Sequence, residues 1–220
     1  MTDYAKSRTR MVDNQLRTND VTDLRILDAM ETVPREKFVS ASKRPVAYID
    51  EDLPIGPTDS GRYLMKPHIF GKLLQLARVG SNDIALVIGT GSGYSAAVLS
   101  HLAASVVAVE ENADFVASAT EVFVELGIEN AVVVEGKLTE GLASEGPYDV
   151  ILIDGAVETL PEAIFEQLKM GGRLVAIEGT GGAAQARLHQ RSEGGTSARF
   201  GFNASANLLP GFAKEKEFHF

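Results

Sequence analysis

The chain has 220 residues, a formal net charge of -9 and no cysteine. That length accommodates one α/β domain with a full core and a modest extension. The absence of cysteine excludes a disulfide framework and any thiolate zinc site, and the acidic balance gives no overall electrostatic pull toward nucleic acid or an anionic membrane. The amino-terminal stretch "MTDYAKSRTRMVDNQLR" carries charge with no apolar run behind it, so no secretory signal is expected there. No apolar run is long enough to span a bilayer. A cytoplasmic protein, monomeric or homodimeric, is the expectation.

In chain order the pattern begins helical. Val21, Leu24, Leu27, Met30 and Val33 recur at helical spacing until Pro34 stops them. "AYIDEDLPIGPTDSGRYLMKPH" (47–68) is irregular and rich in Pro, Gly and Asp, a surface loop long enough to be functional. Pro67 then opens a helix with Phe70, Leu73, Leu74 and Ala77 as its buried stripe and Gly80 just past its end.

From Asp83 the period changes. "IALVI", "SVVAVE", "NAVVVEG", "YDVILID" and "GRLVAIEG" read as buried strands, while "SAAVLSHLA", "NADFVASATEVFVELG" and "PEAIFEQLKMGG" read as the helices between them. Continuous apolar strands alternating with helices predict a doubly wound, mostly parallel Rossmann-like sheet covered on both faces. "GTGG" (179–182) lies at a strand end and reads as a loop, and "RSEGGTSARF" reads as a hairpin turn between two weaker strands. One domain is expected: a helical and loop extension over 1–66, an α/β core over 67–179, and carboxy-terminal strands and tail over 180–220. Leu208, Leu209, Phe212, Phe218 and Phe220 crowd the tail and read as packing on the sheet edge or as a dimer contact.

The most informative stretch is "IGTGSGYS" (88–95), between the first buried strand and its helix. Glycine belongs at such a turn because the chain bends sharply and because a ligand must approach backbone atoms that a Cβ would shield. A dinucleotide fingerprint spaces its glycines G-x-G-x-x-G; here Gly89, Gly91 and Gly93 come one residue closer and Tyr94 follows. That spacing resembles the turn of methyltransferases that use S-adenosyl-L-methionine, and it makes a nicotinamide oxidoreductase a distant alternative. The candidate cofactor residues are Gly89, Thr90, Gly91, Ser92, Gly93 and Tyr94. Glu110, at the end of the next strand, stands where a carboxylate accepts from both ribose hydroxyls.

After the fourth strand the chain reads "LIDGAVETLP", without the Asn/Asp-Pro-Pro-aromatic clamp of enzymes that methylate amino groups. Asp154 raises a magnesium-assisted catechol type, but no further ligand set follows, and a solvated loop aspartate or strand-end cap is the expectation. His101, His189 and His219 show no ligand spacing, so no metal is expected.

The order of segments resembles the protein-L-isoaspartate O-methyltransferase family. "MVDNQLR" (11–17), "ILDAMETVPREKFV" (26–39), "AYIDEDLPIG" (47–56), "IGTGSGY" (88–94) and "LPEAIFEQLKMGGRLV" (160–175) carry the likeness, and the amino-terminal helix and "DLPIG" loop belong to that family's own elaboration. The resemblance implies methyl transfer from S-adenosyl-L-methionine to altered aspartyl residues of damaged proteins or peptides. It implies a substrate loop at Tyr63, Met65, Pro67 and His68, and it places Lys137 where the family has an aspartate facing adenine.

Three positions depart from the family pattern. Met65 stands for a serine near the reacting carboxylate, Val87 for an acidic residue ahead of the glycine turn, and Lys137 for the adenine-facing aspartate. Two readings follow: an active carboxyl methyltransferase, or a catalytically degenerate relative that keeps the fold as a binding or structural module.

Overall fold

A computed structural model describes residues 3–57 and 60–214. The chain opens with α1 (Tyr4–Met11), capped by the Asp3 side chain on the Lys6 amide, and runs through a π-turn (Val12–Leu16) and a 3-10 turn (Arg17–Asn19) into α2 (Leu24–Thr32). Met11, Val12, Leu16, Val21, Leu27, Met30 and Val33 are all buried. Leu24, although it fits the helical period, is 64% exposed at the first turn of α2. The segment ahead of Val21 is thus helical too, and its apolar residues join the same core.

The irregular stretch that follows is a small antiparallel hairpin, β1 (Leu53–Pro54) and β2 (Tyr63–Leu64). Next comes α3 (Pro67–Ala77), with Pro67 as its first residue and Phe70, Leu73, Leu74 and Ala77 buried as the spacing predicts. Each of the three large side chains contributes about 1.5–3 kcal/mol through burial.

β3 (Ile84–Ile88), β4 (Ser105–Glu110), β5 (Ala131–Glu135), β6 (Tyr148–Val157) and β7 (Leu168–Glu178) are parallel, and β8 (Gln185–Ser192) and β9 (Gly195–Asn203) complete the sheet antiparallel. The strand order is β5-β4-β3-β6-β7-β8-β9. Between the strands lie α4 (Tyr94–Leu99), α5 (Ala113–Leu126, capped by Asn112 and closed by Gly127) and the one-turn α6 (Glu162–Phe165).

Side chains alternate across the sheet. Ala85 and Val87 join the core beneath α3, α4 and α5, whereas Leu86 and Ile88 face a second core with Ile151, Ile153, Ile164 and Phe212. Because the chain winds outward from β3 through β4 to β5 and returns to β6 on the other side, a crevice opens at the carboxyl ends of β3 and β6.

"PEAIFEQLKMGG" departs from its expected helix. Its helical part stops at Phe165, and Leu168 already pairs with Tyr148. The Gln167 side chain is taken up by the Glu140 and Ala163 carbonyls and the Leu142 amide. Residues 169–172 bulge before Arg173 pairs with Val150. Ile164 and Leu168 carry a helical spacing, but the pairing of β7 with β6 decides the conformation of Leu168, as tertiary context overrides local propensity.

Candidate active site

The glycine turn follows β3 into the crevice. At Gly91 the backbone φ is +56°, a conformation that calls for glycine, and a Cβ built there would lie 2.5 Å from Ile55 Cδ1. The Gly91 amide donates to Glu110 Oε2 at 2.8 Å, and the Asn112 amide donates to Oε1 at 3.1 Å. The end of β4 thereby fixes a fully buried carboxylate against the turn.

Sequence reasoning missed the partner of that carboxylate. Arg62, from the hairpin, forms a two-pronged ion pair with Glu110, Nη1 to Oε1 and Nη2 to Oε2, both at 2.8 Å. Nη2 also donates to the Gly89 carbonyl at 2.8 Å. The guanidinium is 5% exposed. No local signal marks it: Arg62 is a lone cation in an irregular loop, 48 positions from its partner.

Ile55 presses on Gly91, and Leu209 of the tail lies over Gly89 and Gly155. The tail runs beside the end of β6, with Leu209 bonded to the Ala156 carbonyl and Phe212 fully buried. It therefore covers the crevice rather than the sheet edge; Phe218, His219 and Phe220 lie outside the described residues. The space left among Arg62, Tyr63, Met65, Asp154, Asn207 and Leu209 is about 10 Å³, the room of a single water molecule. A second cavity of about 280 Å³ borders the turn at Ser92 and is lined by Phe38, Ile55, Asn112 and Phe115.

The other expected site residues are dispersed. Tyr94 is buried in the core, its ring 5.5 Å from Phe38 and 5.7 Å from Phe70, with the Arg35 guanidinium 4.8 Å above it. Thr90 and Ser95 exchange a hydroxyl hydrogen bond at 3.1 Å beneath the turn. Val87 packs inside the sheet between Ala108 and Leu152. Lys137 points into solvent and pairs with Glu140 at 2.8 Å, which raises its pKa.

In the substrate loop Tyr63 is exposed, Met65 is buried, Pro67 starts α3, and His68 Nδ1 meets Asp50 at 2.6 Å. Arg35, itself fully buried, holds that loop by donating to the Met65 and Ala47 carbonyls at 2.8 Å each. Burial lowers its pKa.

Asp154, at the crevice end of β6, is 8% exposed and is not the solvated aspartate expected. Burial pushes its carboxyl up to about 6; the Ser95 hydroxyl and the Arg62 and Arg35 guanidiniums partly offset this, and Glu110 adds to it. A carboxyl that ionises less readily in the folded chain than in the unfolded one stabilises the fold while it stays protonated. That contribution is complete below about 3.9 and is lost as pH rises through about 6. Asp154→Asn is therefore expected to raise the melting temperature at pH 8 by roughly 4–10 °C, from about 2–3 kcal/mol of relieved burial. Near pH 4 the gain disappears, and thermal melts across pH 4–8 measure it.

The site thus offers a buried carboxylate, backbone groups of a glycine turn, and a crevice at the switch point of a parallel sheet. A carboxylate with two acceptor oxygens at this place suits the diol of a ribose. In the observed arrangement Arg62 donates to both oxygens, and the acceptor chemistry of the carboxylate fits the ribose of an adenosyl group.

Comparison with known proteins places the chain in a family. The family model described as Protein-L-isoaspartate(D-aspartate) O-methyltransferase matches residues 6–199. A protein-L-isoaspartate O-methyltransferase of Koribacter versatilis is 43% identical over 82% of this chain and 80% of its own length. One from Methanoculleus marisnigri is 40% identical over 79% and 78%.

A solved protein-L-isoaspartate O-methyltransferase superposes with a TM-score of 0.81 at 26% identity, covering 93% of this chain and 66% of its own. The fold is shared with a Plasmodium falciparum structure, a putative protein-L-isoaspartate O-methyltransferase in complex with S-adenosyl-L-homocysteine (TM-score 0.76, 20% identity, 92% and 97% covered). Matched by that family model over most of its length and by relatives at about 40% identity, the chain belongs to the protein-L-isoaspartate(D-aspartate) O-methyltransferase family.

Proposed function

We propose that this protein transfers the methyl group of S-adenosyl-L-methionine to the carboxylates of L-isoaspartyl residues in damaged proteins, the first step of their repair. The observation that carries this reading is the Glu110 carboxylate held by the Gly91 and Asn112 amides at the sheet's switch point, in a chain of this family. Gly89, Gly91 and Glu110 would hold the adenosyl group, with Thr90, Ser92 and Gly93 shaping the turn. Bound there, the cofactor supplies an activated methyl on a sulfonium.

The chain's own residues have little acid or base work to do. An isoaspartyl carboxylate is already ionised at neutral pH, so the site has to align it with the methyl and exclude water. Tyr63 and Met65 line the small cavity beside Asp154 and are the candidate substrate side. Pro67 and His68 shape and brace that loop from α3. Arg35, through the Met65 carbonyl, sets its height. A free protein of the cytoplasm, acting as monomer or homodimer without nucleic acid, suits this role; among the described residues no helix is long and apolar enough to cross a membrane.

The test is transfer of labelled methyl from S-adenosyl-L-methionine to an isoaspartyl peptide, with the normal aspartyl peptide as control. Base-labile label confined to the isoaspartyl peptide is the expected result. No label at saturating cofactor, together with no rise in melting temperature, would leave the degenerate module.

A further inference from the structure

Glu110 has four donors on two oxygens: Arg62 Nη1 and Nη2, the Gly91 amide and the Asn112 amide. A ribose diol needs both oxygens as acceptors, so Arg62 and the diol exclude each other. The same hairpin places Ile55 against Gly91, where the backbone would meet the ligand. Only about 10 Å³ remains in the crevice beside Arg62.

We propose that Arg62 is a latch on the cofactor site: its guanidinium holds the Glu110 carboxylate, and cofactor binding requires Arg62 and Ile55 to swing off the glycine turn. The proposal rests on the cofactor assignment above.

The hairpin is built for such a movement. Its ladder is one short pairing, Leu53 with Leu64 and Pro54 with Tyr63, extended by the Ile55 amide bonding to the Arg62 carbonyl at 2.9 Å. Two-stranded pieces of this size are marginal by themselves. At its base Asp52 accepts from the Lys66 amide at 2.8 Å and the Asn207 side chain at 3.3 Å, and Arg35 grips the Met65 carbonyl beyond it. The roots are fixed, whereas the polar anchor of the hairpin on the turn is the Arg62 ion pair. Arginine suits that task because its planar fork matches both carboxylate oxygens and stays charged when buried.

A ligand that binds only the unlatched form has its affinity reduced by the fraction of chains in that form. An unlatched population of about 1–10% makes the apparent affinity about 10–100-fold weaker than that of a permanently open site. Arg62→Ala removes the latch and leaves Glu110 with its two backbone donors.

The experiment titrates S-adenosyl-L-homocysteine into wild type, Arg62→Ala and Arg62→Lys by calorimetry. It also follows tryptic cleavage of the Arg62–Tyr63 bond in wild type by mass spectrometry. The expected results are about 10–100-fold tighter binding by Arg62→Ala and a smaller gain for Arg62→Lys, whose ammonium cannot bridge both oxygens. Cleavage after Arg62, slow while the side chain is buried, is expected to accelerate when the ligand is added.

Equal or weaker binding by Arg62→Ala than by wild type overturns the latch while leaving the cofactor assignment intact. Failure of all three proteins to bind overturns both. Should Arg62→Ala not fold, Arg62→Lys and the wild-type cleavage carry the test, and a cleavage rate unmoved by saturating ligand overturns the latch.

Discussion

Glu110→Gln is expected to lower stability and cofactor affinity together, and a second substitution should separate the two losses. Glutamine keeps the shape but not the charge, so the Arg62 guanidinium, 5% exposed, loses its counter-ion while still enclosed. Breaking one side of a buried pair costs about 3–5 kcal/mol, which for a chain of this size lowers the melting temperature by roughly 6–20 °C. The amide also offers only one acceptor oxygen to a diol. Hydrogen bonds to a charged acceptor contribute about 1.5–3 kcal/mol each, so S-adenosyl-L-homocysteine should bind at least about 10-fold more weakly.

In the double variant Arg62→Ala/Glu110→Gln the stranded cation is gone as well. Part of the lost stability should return, because the buried cation is no longer stranded, while the glutamine NH2 still faces the Gly91 or Asn112 amide and holds back the rest. The affinity of the double should stay at least about 10-fold below that of Arg62→Ala, because the acceptor is still missing. Thermal melts and calorimetry on the two single variants and the double complete the cycle. Equal affinity in Arg62→Ala and Arg62→Ala/Glu110→Gln, neither of which has the latch, would remove this carboxylate from the ribose site.

The sheet and its order of helices were legible because the strands are unbroken apolar runs and the helices carry their own punctuation: Pro67 at a start, Asn112 at a cap, Gly127 at a stop. Where punctuation was weak, tertiary pairing decided. Leu168 has helical spacing from Ile164 yet lies in β7 because Tyr148 pairs with it. Leu24 fits the apolar period of α2 yet faces solvent, since the residues that bury that helix come from Met11 to Leu16 on one side and from α3 on the other.

The site divides the same way. Gly91 and Glu110 stand out in the sequence because each sits at the end of a strand whose limits are plain, and the ligand chemistry comes from the likeness of the turn to that of methyltransferases using S-adenosyl-L-methionine. Arg62, Ile55 and Leu209 are not readable, because each belongs to an irregular segment and its importance comes from contacts with residues far along the chain. Asp154 shows the cost of that blindness: it reads as a solvated loop aspartate or a strand-end cap, whereas residues far along the chain, Arg62, Tyr63 and Met65 on one side and Asn207 to Leu209 on the other, share its small cavity and help to close it.

Gly93→Ala is expected to be the most damaging of the small substitutions in the turn. Gly93 caps α4 with φ at +95°, outside the conformations that a side chain readily accepts. A Cβ there would meet the Ala119 Cβ at 2.7 Å and Phe123 at 3.1 Å, both on α5. The contrast with Gly91 is instructive, since its neighbour is the far end of an isoleucine on the hairpin, which can turn away. The Ala119 methyl is fixed to a helix backbone and cannot.

Left-handed strain of about 1–2 kcal/mol and overpacking of about 1–3 kcal/mol together predict a melting temperature lower by roughly 4–20 °C. Combining Gly93→Ala with Ala119→Gly should relieve the Ala119 contact at a cost of about 1 kcal/mol for a glycine inside α5, and leave the Phe123 contact and the backbone part. Gly182→Ala, whose new Cβ would have nothing within 4 Å, should stay within about 0.5 kcal/mol of wild type. A Gly93→Ala protein that melted with Gly182→Ala would mean that α4 and α5 can part without cost. The Gly91 amide would then owe its aim at Glu110 to something other than the packing of those two helices.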